Sequence, residues 1–429
     1  VRPAERWRPT AAHLRASIGG VLLAVAAVLG RRPDLLVLAT PLAGAAAWAT
    51  ALRPARPPMV GQSIGHGVLV EGEATTWHVS VDDPDGRVED VAVLLPAAAW
   101  TEQRPADGQS AVSLRDDGDG PLAIVVRTTR WGRRAVGPAL VVASSAWGAF
   151  RSVSSPETAR SLLALPHPSR FDAPAPAVHR AGLPGVHRSV RESSGAEFAS
   201  IRPFQPGDRL RRIHWPQSLR TGALHVTSTW ADHDRHVVLL LDALDDVGGS
   251  EGVDGRASSL DIALRAAGAV AEHYLSTGDR VGLVMLDSRG VRRTPASTGR
   301  RHLRRMLEVM AGAEPAVNRL DVGRIPPGLP SGALVVMLSP LVSRSTLQRA
   351  ASMAGRRMTV VVIDCLPADI VTRLADDPEQ ALSWRIRLME REREIRRVNE
   401  AGVPVVRWVG PGSLDEVLRR ADRRPVRLR

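Results

Sequence analysis

The densest concentration of residues able to do chemistry lies between Glu197 and Gly222, where Arg202, Asp208, Arg211, Arg212, Trp215, Ser218 and Arg220 fall in one polar stretch. A planar indole beside several guanidinium groups offers stacking and cation–π contact, and Asp208 can accept a forked hydrogen bond from one of the arginines. Such a network has two uses: it can pin a connector to its neighbouring domain, or present a contact surface to a partner. Other strings promise less. Gly248-Gly249-Ser250-Glu251-Gly252 has the G-x-S-x-G spelling of a hydrolase, yet Ser250 sits in a polar Gly-rich loop well ahead of the next helix, whereas a nucleophile elbow needs an abrupt strand-to-helix turn. Asp232-His233-Asp234-Arg235-His236 holds ligand-type side chains without a second cluster at metal spacing, and reads as a polar entry to a strand. Lysine is absent, which excludes a phosphate loop ending in Gly-Lys-Ser.

These side chains need elements to carry them. From residue 236 onward apolar strands (236–241, 281–286, 333–338, 358–363 and 403–408) alternate with helical stretches (258–274, 300–311, 345–354, 383–400 and 414–420). That alternation predicts an α/β domain with a mostly parallel, doubly wound sheet covered on both faces. Upstream, the short Val- and Leu-rich runs 67–82, 89–95, 111–114, 122–128 and 139–143 are bounded by turn clusters and predict a small antiparallel β-sandwich ending near Phe150. The acidic turn 116–120 lacks the later Glu of a twelve-residue calcium loop and reads as a hairpin turn. Between the two regions, residues 152–235 form a loop-rich connector. Cys365 is the single cysteine, which excludes an intramolecular disulfide, and its place after an apolar strand predicts a buried, unreactive thiol.

The chain opens with two apolar runs, residues 14–30 and 35–52, each just long enough to cross a hydrocarbon core of roughly 30 Å. Arg15 lies at the mouth of the first, and only Arg31-Arg32-Pro33-Asp34 separates the two, an arrangement that favours a transmembrane helical hairpin over a cleaved signal. Arg2, Arg6, Arg8 and Arg15 before it and Arg53 and Arg56 after it outnumber the arginines of the turn. The positive-inside rule therefore predicts a plasma-membrane protein with two spans and cytoplasmic soluble domains. The expected segments are 1–58 (hairpin and flanks), 59–151 (β-sandwich), 152–235 (connector) and 236–429 (α/β domain). Over 429 residues, 57 basic side chains face 45 acidic ones, a net charge of +12. The arginines are dispersed through all segments rather than massed on one motif, so the basic balance does not indicate nucleic acid as a partner. Hydrophobic residues at 44% and charged residues at 24% exclude a collagen-like or wholly disordered chain.

The first strand of the α/β region ends Leu241-Asp242-Ala243-Leu244-Asp245-Asp246. This resembles a von Willebrand factor A domain, in which an aspartate followed by two alternating serines opens a divalent-metal adhesion site. Asp242 matches, but Leu244 and Asp246 stand where the serines would be, and the family's later metal aspartate falls on Ser339-Pro340. Too few oxygen ligands remain for a hard cation. The expectation is a degenerate site, with no metal and no cofactor, to which Asp242, Asp245 and Asp246 are the most the chain could contribute.

Pro206-Gly207-Asp208, then Arg211 or Arg212 with Ile213 and Trp215, then Ser218, Arg220 and Gly222, are identified as the motif of the bacterial "domain of unknown function 58" family. Arg130-Trp131-Gly132, Val136-Gly137-Pro138 and Trp147-Gly148-Ala149-Phe150 resemble the end of that family's β-domain, so the resemblance extends over most of the chain. It implies a membrane-anchored, non-catalytic scaffold working with a MoxR-type AAA+ ATPase, often beside a transglutaminase-like membrane protein, in assembling or activating envelope or secreted complexes. Rival readings are a metal-dependent adhesin with outward-facing domains and a serine hydrolase using Ser250.

Overall fold

The computed structural model describes residues 6–114, 122–155, 158–167, 192–205, 208, 210–230, 236–315, 333–355, 359–374, 377–410 and 413. The chain divides into two compact units, residues 1–167 with 251–256, and residues 168–250 with 257–429.

In the first unit the apolar runs form α1 (Ala11–Leu29) and α2 (Asp34–Ala51), both long and apolar enough to cross a membrane. Thr10 caps α1 by accepting from the His13 N–H, and α2 starts directly after Pro33. The helices meet through small residues: Gly20, Ala27, Ala39, Ala46 and Ala49 are buried, and a Cβ on Gly20 would lie 3.0 Å from the Ala43 nitrogen. Their large side chains, among them Val21, Leu22, Leu29 and Val37, face outward and are exposed. A helix pair built for water has the opposite pattern.

The rest of this unit is β1 (Arg8–Pro9), β2 (Met59–Ile64), β3 (Val68–Val70), β4 (Ala74–Asp82), β5 (Val88–Leu94), β6 (Thr101–Arg104), β7 (Gln109–Ser113), β8 (Leu122–Thr128), β9 (Gly132–Val136), β10 (Leu140–Ser145), β11 (Phe150–Ser154) and β12 (Arg160–Leu165). They form sheets in the orders β1-β11-β10-β5-β7, β2-β4-β8-β6 and β3-β12-β9. Pairing is antiparallel except between β3 and β12. Alternate residues point inward, as the pleat requires, and Trp77 of β4, Val91 of β5, Ile124 of β8 and Val141 of β10 share one core with Trp7 and Ala49 from the two ends of the hairpin. Strands β11 and β12 extend this unit past Phe150. The inward residues of β11 include Ser152 and Ser154, so the hydrophobic alternation that signals a strand is diluted there. The acidic turn 116–120 lies outside the described residues.

The second unit begins with a ribbon in place of part of the expected loop. Strands β13 (Glu192–Pro203) and β14 (His225–Trp230) pair antiparallel, with the short helix α3 (Trp215–Thr221) between them. There follow β15 (His236–Asp242), α4 (Ser259–Ser276), β16 (Arg280–Asp287), β17 (Gly290–Ser297), α5 (Arg300–Met310), β18 (Leu334–Ser339), α6 (Arg344–Gly355), β19 (Thr359–Asp364), α7 (Pro378–Glu400) and β20 (Val405–Arg407). The sheet order is β17-β16-β15-β18-β19-β20, parallel apart from the edge strand β17. Residues 237–242 are all buried, the near-continuous apolar run of a strand covered on both faces. A reciprocal Ser258–Asp261 capping box starts α4. Asp377 caps α7, with Pro378 in its first turn, which starts this helix ahead of the expected residue 383. The sequence reading overlooked β17 because its alternation is carried by arginines, as suits an exposed edge. The expected helix 414–420 lies outside the described residues.

Leu240 is fully buried in the core of the parallel sheet. Leu240→Ala is expected to lower unfolding stability by about 2–5 kcal/mol, measured by denaturant titration of the purified protein.

Candidate functional site

In an open parallel sheet, ligands gather at the carboxyl ends of the strands where the chain order reverses. That reversal falls between β15 and β18. Asp242 ends β15 at 2% exposure, and its Oδ2 accepts hydrogen bonds from Ser339 Oγ of β18 (2.8 Å) and Thr346 Oγ1 of α6 (3.0 Å). Ser339 Oγ also accepts from the Leu341 N–H at 3.0 Å. On one side, Asp287 ends β16 and is held by Arg292 of β17. On the other, Asp364 ends β19 and is held by Arg391 of α7, which also donates to the Pro340 carbonyl.

This geometry does not fit a divalent cation. A hard ion takes about six to eight oxygens, whereas the two hydroxyls here aim their hydrogens at the carboxylate, Leu244 offers no side-chain ligand, and Asp246 Oδ1 accepts from the Leu260 N–H at 3.1 Å. Among the described residues no group of three or more His, Cys, Asp or Glu side chains converges. Asp245 lines an adjoining cleft of about 600 Å³ together with Val342, Arg344, Trp384 and Arg387. Arg387 there donates to the Val342 carbonyl at 2.7 Å. Ser250 lies in the loop ahead of α4 and not at a strand-to-helix turn. Of the string 232–236, only His236 lies within the described residues. Cys365 follows β19 fully buried, and that burial raises its thiol pKa well above the ordinary value.

The Arg-Trp-Asp cluster sits on the ribbon and α3. Asp208 accepts the expected fork, from Arg202 Nη1 (2.8 Å) and Nη2 (2.7 Å), and also the Gln205 N–H at 2.8 Å. These bonds, led by the Arg202 side chain and followed by the Gln205 backbone, hold the Asp208 carboxyl below the usual carboxylate range, with the Arg212 charge adding to them. Ser218 is buried and works as a tie: its Oγ donates to the His214 carbonyl and accepts from the His225 N–H at 2.9 Å, fastening α3 to β14. Gly222 ends α3 in the left-handed conformation, with φ of 70°.

Trp215 departs from expectation. No cation–π contact reaches it among the described residues; those present pair Arg53 with Phe150, and Arg130 with Trp100 and Trp131. The reason is its direction. One turn apart on α3, Trp215 and Leu219 face outward, 60% and 81% exposed, with Leu210 beside the helix at 69%. Arg220 is exposed, Arg212 is half-buried, and Pro206, Gly207 and the Arg211 side chain lie outside the described residues. Sequence reasoning missed Thr346 and Arg391, which sit on helices far along the chain and become partners only when the sheet assembles.

Residues 200–402 match the family model described as "Protein of unknown function DUF58", a narrower span than the sequence resemblance suggested. Uncharacterized proteins of Mycobacterium tuberculosis and Mycobacterium bovis are 33% identical over 132 residues, 30% of this chain. The match spans 40% of those relatives' length. Among solved structures, the pilus adhesin of Streptococcus pneumoniae aligns over 71% of this chain and 42% of its own at 11% identity, with a TM-score of 0.16 that carries no structural argument.

Because the folded-state pKa of Asp208 is depressed, its contribution is present above the unfolded carboxylate pKa and is lost as pH falls through the folded one. The protection factors of the Gln205 and Asp208 amides, measured by hydrogen exchange relative to the intrinsic rate at each pH, are therefore expected to fall on acidification below the ordinary carboxylate range. Asp208→Asn should show the lower protection already at neutral pH.

Proposed function

We propose, from the match of residues 200–402 to the DUF58 family model and from the exposed face of α3, that the chain is a membrane-anchored, non-catalytic scaffold or adaptor that docks a MoxR-type AAA+ ATPase through α3 and its flanks. In this role it assists assembly or activation of envelope or secreted complexes, with a transglutaminase-like membrane protein as a further partner. The observation that carries the proposal is the outward face of α3. A connector that merely pinned domains would bury its tryptophan, whereas Trp215, Leu219 and Leu210 stand in solvent on a ribbon held by Ser218 and the Arg202–Asp208 pair. A rigid platform with an exposed aromatic and an arginine at its edge suits a partner that brings an apolar pocket with an acidic rim.

The finer architecture belongs to the same reading. The shared core of the first unit supports a β-sandwich, and the strand order with its reversal at β15 and β18 supports a von Willebrand factor A-like, doubly wound domain that has lost its metal. The outward-facing apolar side chains and small-residue seam of α1 and α2 support a bilayer hairpin, and the flanking arginines support a cytoplasmic placement of both units. The adhesin alternative draws less support, because hydroxyl donors take up the Asp242 carboxylate.

Arg220→Glu is expected to abolish pull-down of the ATPase with a melting temperature within a few degrees of wild type, since an exposed charge contributes little to the fold. Leu219→Ser should act the same way. A large melting shift in both would return α3 to a purely architectural role. The protein is also expected to remain with membranes through high-salt extraction and to be released only by detergent, because apolar anchoring is not screened by salt.

A further inference from the structure

The turn Ala146–Gly148 carries a conformation that its own packing does not explain. Trp147 adopts φ 55° and ψ 22°, the left-handed region that a bulky residue rarely enters and glycine enters freely. Its ring is 62% exposed, so the core does not hold it there. Instead the backbone is fixed, by the Trp147 N–H donating to Glu89 Oε2 (2.8 Å) and the Ala149 N–H to the Ala146 carbonyl (3.1 Å). The turn is tied to the start of α1 as well: Thr10, the cap of that helix, donates its hydroxyl to the Gly148 carbonyl (3.0 Å) and its N–H to the Ala149 carbonyl (2.9 Å). Trp147 is thereby placed at the level where α1 would leave a hydrocarbon core.

Two further features mark the same level. Trp48, 60% exposed, lies in the last turns of α2, and Thr50 of that helix is 3.4 Å from the His13 ring of α1, so both helix ends share one height. In the β1–β11 pairing, Arg8 stands directly opposite Arg151. Both are exposed, and neither has a carboxylate partner among the described residues. Like charges directly opposed on paired strands destabilise the pair unless an anion lies over them.

We propose that the Ala146–Gly148 turn and the Arg8–Arg151 pair form an interfacial anchor, with Trp147 seated in the headgroup region of the bilayer and the two arginines on phosphates of anionic phospholipids. Tryptophan prefers that depth, and guanidinium groups match phosphate geometry. The anchor rests on the reading of α1 and α2 as bilayer spans, and it fixes the first unit against the membrane surface where a flexible linker would let it swing.

The test uses the full chain reconstituted in vesicles of phosphatidylcholine, with and without phosphatidylglycerol, and brominated lipid as a quencher of tryptophan fluorescence. Wild type is compared with Trp147→Gly and with Trp48→Phe. Each variant is expected to lose a comparable share of the lipid quenching, and the Trp147 share should be larger with phosphatidylglycerol. Arg8→Gln combined with Arg151→Gln should reduce that share to its phosphatidylcholine level. Trp147→Gly should melt no lower than wild type, because glycine suits the backbone; a markedly lower melt would make the ring structural and overturn the proposal. If the Trp48 share is present and Trp147 is quenched only by aqueous iodide, the anchor is wrong and the hairpin stands. If neither tryptophan responds to lipid, the hairpin reading fails and the anchor with it. A Trp147 share unaffected by lipid charge and by the double variant would remove the arginines, and so overturn the proposal as stated.

Discussion

A carboxylate buried at the end of a parallel strand must be met by donors that the same packing brings to it, and this requirement organises the second unit. Asp287, Asp242, Ser339 and Asp364 close four adjacent strands along one edge of the sheet. Each carboxylate is answered from a different element: Arg292 on β17, Thr346 on α6 and Arg391 on α7, with Ser339 bridging the central pair. Sliding α6 or α7 by one turn would leave a buried charge unmatched, a defect of roughly 3–5 kcal/mol for a broken buried pair. Apolar faces alone tolerate such adjustments far better, so the polar edge fixes how the helices sit on the sheet.

The same edge decides what the domain can bind. An adhesion-type metal site needs oxygen lone pairs left pointing at one vacant position, and here the Asp242 oxygen is committed to two hydroxyl hydrogens. The docking proposed here rests instead on α3, where Trp215 and Leu219 stand in water. The ribbon makes that exposure tolerable because its backbone is tied at both ends of the motif, by Asp208 to Arg202 and by Ser218 to His214 and His225. A rigid platform loses little conformational freedom on docking, which favours recognition by a few exposed side chains.

What was legible in the sequence follows from how each signal is written. The hairpin and the alternating strands and helices were plain, because long apolar runs and continuous buried strands such as 237–242 need no partner to be read. The Arg202–Asp208 fork was legible because its members lie six residues apart. Strand β11 was hidden by serines on its inward face, and β13 and β14 by a bulged, polar register. The exposure of Trp215 was not legible, since proximity in sequence to arginines says nothing about which way a short helix turns its first residue. Asp242 was found at once; Thr346 was not, because the hydrogen bond joins residues 104 positions apart, and only the closed sheet makes them neighbours.

With no lysine in the chain, arginine must serve every cationic purpose, so place rather than number separates its roles. At 7% exposure, Arg391 meets Asp364 and a backbone carbonyl with its planar fork, a geometry that a single ammonium could not reproduce. Arg202 closes a loop in the same way at the surface. Arg8, Arg151 and Arg220 are exposed and form no such tie among the described residues. Arginines of the first kind tie elements of the fold together, whereas those of the second kind lie close in sequence to an exposed tryptophan, Arg151 to Trp147 in one unit and Arg220 to Trp215 in the other. Exposed aromatic rings and exposed guanidinium groups in the same short segment are a poor arrangement for an isolated chain and suit one that works against a surface, as both proposals require.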